Sequence, residues 1–268
     1  MWPTRLITAA LALAIATPAV AAPVSLAPHR AVYDLKLKDA SERSGISGIV
    51  GRMVYEFNGS ACDGYTTSFR FVTRILTGED SRLTDQQTTT FESASGDAFE
   101  FSTRSFVDQK PEREVRGSAR RDASGLEVDL KQPEEAEITL QKALFPTAHM
   151  VDLLQKAERG ETFYEAPIFD GSDDADRTMT TTVIIGRKAS EADGDAAPMG
   201  ALGKDAWWPV SISYFDETDT SGEGLPEYRI GFKLYHNGVT RDLEMDYGDF
   251  SMEGKLKDLT LLDKPECG

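Results

Sequence analysis

Apolar and polar residues alternate along most of the chain, so that apolar side chains fall on one face of each segment. Alternation with a period of two residues is typical of a β-strand that has one buried face. Threonine, valine and aromatic residues, which favour strands, are frequent in these segments. The segments recur roughly every ten to fifteen residues, which predicts about thirteen to fifteen strands. Representative segments are residues 33–37, 68–72, 99–101, 183–185, 212–214, 230–234 and 243–245.

Turn-forming residues separate these segments. The strongest turn signal is Asn237-Gly238, because this dipeptide supplies the positive φ angles that a two-residue hairpin needs. Many hairpins in succession predict an antiparallel meander, in which each strand pairs with its neighbours in the chain. The other turn signals are Asn58-Gly59, residues 95–97 and Ser124-Gly125.

One segment interrupts the alternation and predicts the main helix, near residues 146–159. Pro146 suits the first turn of a helix, and Gly160 suits the left-handed position that ends one. The apolar side chains on one face of this helix should pack on the sheet. They are Met150, Leu153, Leu154 and Ala157.

Residues 1–22 have the three parts of a cleavable signal peptide. These parts are the cation Arg5, an apolar run over residues 6–16, and a small-residue site at residues 19–21. The run has about half the length that spans a bilayer, so we predict no membrane span. We therefore predict cleavage of residues 1–22, localisation in the periplasm, and a single β domain over residues 23–268.

The chain has two cysteines, Cys62 and Cys267. An oxidising compartment permits a disulfide, and an even pair in such a compartment predicts a bond. The lack of C-x-x-C spacing disfavours the alternative, a redox-active pair. We predict a structural disulfide that ties the first strands to the C-terminal tail, with an entropic contribution of at most about 5 kcal/mol.

The formal net charge of −16 excludes some classes of partner. Nucleic acids and anionic lipid surfaces attract cationic proteins and repel a chain this acidic. We therefore predict no nucleic-acid partner.

The candidate catalytic and metal-binding residues lack the spacing that known sites need. His29, His149 and His236 have no neighbouring ligand at zinc-site spacing, and no nucleophile elbow or nucleotide-binding loop is present. We predict no enzymatic activity, no catalytic residue, no cofactor and no metal site. Two questions stay open. The acidic segment at residues 170–176 could bind calcium, although it lacks the glycine and glutamate of an EF-hand loop. A pair of carboxylates could also catalyse hydrolysis.

Trp207 and Trp208 form the most conspicuous aromatic pair. Consecutive residues of a strand face opposite sides, so one indole should enter the core while the other faces outward. An outward-facing indole can serve as a recognition surface. This pair is therefore a candidate binding surface, with a structural role as the alternative.

Several segments together resemble the cell-envelope integrity protein EipB family of Gram-negative periplasms. The resemblance covers nearly the whole chain after the signal peptide and is weakest between residues 76 and 200. It is carried by residues 207–215, 226–235, 237–239 and 246–250, by residues 29–35 and 62–65, and by Cys267.

This resemblance implies a mainly β fold called a β-spiral, a long bent antiparallel sheet that is barrel-like but does not close fully. It also implies a disulfide at the positions of Cys62 and Cys267. The family is regarded as non-enzymatic and as supporting envelope integrity, with a periplasmic partner that contains tetratricopeptide repeats as one expectation.

Two hypotheses for function follow. We favour a non-enzymatic periplasmic protein that binds or scaffolds other envelope components. The alternative is a periplasmic carrier of a lipid or other apolar ligand, because a bent sheet can wrap a cavity lined by apolar side chains.

Overall fold

The structure is a computed structural model that describes residues 24–190, 194–216, 224–265 and 267. The predicted signal peptide, residues 1–22, lies outside the described residues. Within the described residues, no helix combines the length and the apolar character that crossing a bilayer requires.

The described residues form fourteen strands, as the alternation predicts, and one α-helix, α1. Short 3-10 segments lie at Glu42–Ser44 and Gly194–Lys204. The strands of the first half are β1 His29–Ala40, β2 Ile46–Ser60, β3 Gly64–Thr77, β4 Asp80–Glu92, β5 Ala98–Val107, β6 Lys110–Arg121, β7 Leu126–Gln132 and β8 Ala136–Leu140. After α1 Pro146–Glu158 come β9 Phe163–Ile168, β10 Met179–Ile185, β11 Trp207–Asp216, β12 Tyr228–Tyr235, β13 Thr240–Asp246 and β14 Phe250–Leu261.

All fourteen strands belong to one antiparallel sheet. The order is β8-β7-β6-β5-β4-β3-β2-β1-β14-β13-β12-β11-β10-β9, so every pair except β1–β14 joins strands that are consecutive in the chain. The first and last strands therefore meet in the interior of the sheet, and its two edges are β8 and β9. The predicted fold class, a long antiparallel meander, is confirmed.

The two edges of the sheet approach each other without pairing. A single parallel bridge joins Leu144, in the segment after β8, to Ile168 at the end of β9. The amide of Leu144 donates to the carbonyl of Pro167, and the amide of Phe169 donates to the carbonyl of Leu144, both at 2.9 Å. The sheet thus coils into a barrel-like form that stays open between β8 and β9.

The helix α1 begins at Pro146, as predicted, and ends one residue before the predicted end. Gly160 follows with φ of 77°, the left-handed conformation that the sequence anticipates. Leu153, Leu154 and Ala157 are buried in the main core, while Met150 is partly buried against it. The helix therefore packs its apolar face into the interior of the coiled sheet.

The N-terminus of α1 is capped by a residue far away in sequence. Phe145 occupies the capping position and has no side-chain oxygen. The carboxylate of Glu92, at the end of β4, instead accepts hydrogen bonds from the backbone amides of Thr147 (2.7 Å) and Ala148 (2.9 Å). Glu92 is 3% exposed, and burial raises the pKa of its carboxyl group against the opposing effect of these two donors.

We expect Glu92→Ala to lower the free energy of unfolding by about 2–4 kcal/mol, because two buried amides at the helix start lose their acceptor. Glu92→Gln should cost less, since its amide oxygen can still accept. Urea unfolding followed by circular dichroism measures both changes. Glu100→Ala, which removes an exposed carboxylate from β5, is the matched control. A loss for Glu92→Ala no larger than that of the control would contradict the capping role.

Two turn predictions need correction. In the hairpin between β12 and β13, only Gly238 of the Asn237-Gly238 pair has a positive φ, 85°. The amide of Gly238 donates to the carbonyl of Tyr235, so the loop has three residues and ends in a left-handed glycine, not the predicted two-residue turn. Asn58-Gly59 lies within β2, where Asn58 pairs with Thr66, because the true turn comes at residues 61–63.

The buried side chains form two clusters. The main core lies between β1, β2, β9–β14 and α1 and includes Tyr33, Leu35, Leu153, Trp208 and Leu234. A second core lies under β5–β8 and holds the segments on either side of the open seam. At its centre four phenylalanine rings contact one another with centroid separations of 5.0–6.4 Å: Phe99, Phe101, Phe145 and Phe169.

The structure joins Cys62 and Cys267 in a disulfide, with 5.8 Å between their Cα atoms. Cys62 lies in the β2–β3 turn, and Cys267 follows β14. Because β1 is hydrogen-bonded to both β2 and β14, the disulfide spans a strand that already holds the two ends together.

Candidate functional site

A cavity of about 620 Å³ lies in the interior of the coiled sheet. Its walls come from the inner faces of β1–β6 and β11–β13, from the first turn of α1 and from residues 170–173. The volume lies within the range of cavities that bind small organic ligands.

The wall formed by β4 and β5 is polar but carries no charge. Thr88 and Thr90 of β4 face the cavity with Thr103 and Ser105 of β5. The hydroxyls of Thr88 and Thr103 lie 3.0 Å apart and bond to each other. We call these four residues, with Gln86, the hydroxyl strip.

The opposite wall is apolar and comes from β11–β13. Phe69 and Phe71 of β3 extend it towards the hydroxyl strip, and their ring centroids lie 5.9 Å apart. Both are partly buried residues that pack against the main core and also line the cavity. The remaining members of this apolar wall are Ile212, Ile230, Phe232, Leu243 and Met245.

A row of aromatic rings leads from the apolar wall towards solvent. Successive centroid separations are 5.6 Å for Tyr214–Tyr228, 4.9 Å for Tyr228–Tyr247 and 4.9 Å for Tyr247–Phe250. Tyr247 is 39% exposed and also lines a second cavity of about 250 Å³. The two cavities share Phe71, Gln86, Ser105 and Tyr247, so the interior space continues towards the end of the coil.

Two of the three histidines line the cavity. The Nδ1–H of His29 donates to the carbonyl of Ala27 at 2.7 Å. Thr181 donates its own proton to the carbonyl of Ala166, so its Oγ1 accepts from Nε2–H of His149 at 3.3 Å. Burial lowers the pKa of His29 and lowers that of His149 to about 4, so both rings are neutral at pH 7. His236 is exposed.

The acidic segment at residues 170–176 forms one rim of the cavity and is held by arginines. Arg113 pairs with Asp174, and Arg177 pairs with Asp173 at 3.0 Å. Over the described ranges, no three His, Cys, Asp or Glu side chains converge as a metal site would require.

The two tryptophans of the candidate binding surface, Trp207 and Trp208, differ in how deeply they are buried. Trp208 is 3% exposed and belongs to the main core, so it offers no outer surface. Trp207 is partly buried and packs against the main core, with Lys233 Nζ 4.7 Å and the Arg241 guanidinium carbon 5.7 Å from its indole centroid. Recognition by Trp207 stays a prediction.

The sequence analysis predicts neither the hydroxyl strip nor the capping of α1 by Glu92. One signal for the strip is present in the sequence: Gln86, Thr88 and Thr90 occupy the face of β4 that should be apolar if it contacted a core. Polar residues on the inner face indicate an interior that is open to water or to a ligand. The partner of Glu92 lies 55 residues away, and no local pattern indicates it.

Comparison with known proteins identifies relatives of this chain. A family model described as EipB-like matches residues 20–263. The cell envelope integrity protein EipB of Brucella abortus (strain 2308) is 53% identical over 244 residues, which is 91% of this chain and 87% of that protein. A crystal structure of a β-barrel-like protein of a domain of unknown function from Brucella abortus matches with a TM-score of 0.88. It is 54% identical, covering 90% of this chain and all of that one.

Proposed function

This chain belongs to the EipB-like family, and from that premise we propose that it supports the integrity of the cell envelope by binding, not by catalysis. The relative from Brucella abortus is named for envelope integrity and not for a reaction. The binding hypothesis has two forms, a ligand held inside the coil and a protein held outside it.

The interior cavity is the observation that carries the first form. Partly buried apolar side chains such as Phe69, Phe71 and Ile230 face the open space. Covering apolar surface is favourable by about 25 cal/mol per Å², so this wall supplies a driving force for an apolar ligand. We propose that a lipid or other amphipathic envelope component binds inside the coil and enters along the aromatic row, which includes the exposed Tyr247.

The periplasm is the compartment proposed for this activity, following removal of residues 1–22. A periplasmic protein partner, such as one with tetratricopeptide repeats, remains a separate proposal that rests on the sequence resemblance. The cavity neither requires nor opposes such a partner.

Filling the cavity should abolish ligand binding without unfolding the protein. We expect Thr90→Trp to place an indole in the cavity and to reduce binding of the uncharged dye N-phenylnaphthylamine by about tenfold or more, measured by fluorescence titration. Thr89→Trp is the matched control, because Thr89 is the adjacent residue of β4 and is exposed on the outer face.

Native mass spectrometry of the wild-type protein isolated from envelopes tests the same proposal with natural ligands. It should show an adduct that is lost in Thr90→Trp and kept in Thr89→Trp. Equal dye binding by the two variants, with no adduct on either, would refute ligand binding inside the coil.

A further inference from the structure

The charges around the cavity indicate which ligands it can accept. Apart from tyrosines, its ionisable lining residues are His29, Arg113, His149, Asp170 and Asp173. Arg113, the one permanent cation among them, already pairs with Asp174. Both histidines are neutral at pH 7, because burial lowers the pKa of each ring. The formal charge of this lining at neutral pH is therefore negative.

An anionic group would enter this space at a cost. Moving a carboxylate or phosphate out of water is unfavourable by several kcal/mol unless a cation or several donors compensate. Arg113 is shared with Asp174 and its side chain is 40% exposed, so it lies at the rim and gives little compensation inside. The cavity therefore selects against anionic lipids.

The polar groups of the hydroxyl strip also make the cavity a poor match for a plain hydrocarbon. Each threonine hydroxyl has one donor and two acceptor positions, so the Thr88–Thr103 bond leaves capacity on both residues. His149 donates through Nε2, and its Nδ1 has no hydrogen-bond partner among the described residues. The Nε2 atom of His29 likewise has no hydrogen-bond partner among the described residues. These atoms match a ligand that carries hydroxyl groups.

We infer that the cavity binds an uncharged amphiphile of the acylglycerol type, with its chain on the apolar wall and its hydroxyl groups on the strip. This inference rests on the proposed function, because it names the chemical class of the ligand inside the coil. Both walls line the same cavity, so a single elongated molecule bound there can contact both.

Two competitors that differ in the head group test the inference. Monooleoylglycerol and oleate carry the same chain, and each is titrated below its aggregation concentration against bound N-phenylnaphthylamine at pH 7.5. We expect half-displacement by monooleoylglycerol at a concentration at least tenfold lower than by oleate. Displacement by oleate at an equal or lower concentration overturns the inference and leaves the proposed function intact. Failure of the dye and of both lipids to bind overturns both.

The strip itself is tested by Thr88→Val combined with Thr103→Val. This change removes both partners of one hydrogen bond and keeps the shape of the side chains, so the fold should tolerate it. We expect the affinity for monooleoylglycerol to fall about threefold to tenfold while that for oleate does not fall. Thr89→Val, on the outer face of β4, is the control and should match the wild type. An unchanged affinity of the double variant for monooleoylglycerol would show that the strip does not recognise the ligand.

Discussion

Replacing both cysteines with serine should lower the melting temperature by up to about 10–20 °C. The disulfide closes a chain separation of 205 residues, for which the chain-entropy contribution is about 5 kcal/mol at most. Each kcal/mol shifts the melting temperature of a domain of this size by about 2–4 °C. The effect acts mainly on the unfolded chain, because in the folded state the pairing of β1 with β2 and β14 already brings Cys62 and Cys267 together.

Differential scanning calorimetry of the Cys62→Ser/Cys267→Ser variant measures this shift. The double variant avoids a free thiol, which could form intermolecular disulfides. The wild-type protein under reducing conditions should melt at the same temperature as the variant. If the oxidised protein and the variant melt together, the disulfide contributes nothing to stability.

His149 should make the fold sensitive to acid between about pH 6.5 and pH 4. Its folded pKa of about 4 lies below the usual histidine value of 6.5, because the ring is 4% exposed and burial disfavours the charged form. In that window the unfolded chain binds more protons than the folded chain, so stability falls as the pH falls. This one side chain accounts for a loss of up to about 3 kcal/mol.

Urea unfolding of the wild type and of His149→Gln at several pH values isolates this contribution. Glutamine can still donate to Thr181 but does not titrate, so the difference in stability between the two proteins should shrink or reverse as the pH falls. Carboxyl groups titrate in both proteins and cancel in the comparison. His236→Gln, at an exposed position, should follow the wild type at every pH. A constant difference between the wild type and His149→Gln would rule out this role.

The sheet and the helix could be predicted from sequence because their signals are local. Alternation in β3 and β12 assigns their inner faces, and Pro146 and Gly160 mark the limits of α1. The pairing of β1 with β14 follows from no local pattern, because these strands lie at opposite ends of the chain. Asn58-Gly59 shows the limit of turn chemistry, since the strand pairing continues through a dipeptide that usually ends it.

The site was harder to predict than the fold, because a cavity forms where distant strands leave space between their side chains. No local sequence pattern encodes that space. Phe69 has the same sequence signature whether it meets a core or a ligand, and only the coiling of the sheet decides between them. Trp208 is equally conspicuous in the sequence, and the structure places it in the core. The polar inner face of β4 is the one local signal of the cavity that the sequence contains. It indicates a binding site only once the structure shows that β4 and the apolar wall line the same cavity.

The position of β14 has a consequence for the order in which the chain folds. Strands β1–β8 and β9–β14 can each assemble through hairpins as they leave the ribosome, since each strand pairs with its neighbours in the chain. Within the sheet, the two halves pair with each other through β1 and β14, a contact of high sequence separation that forms slowly. Completion of the sheet therefore waits for the last strand to emerge, so a polypeptide still in transit is held in an unfinished state.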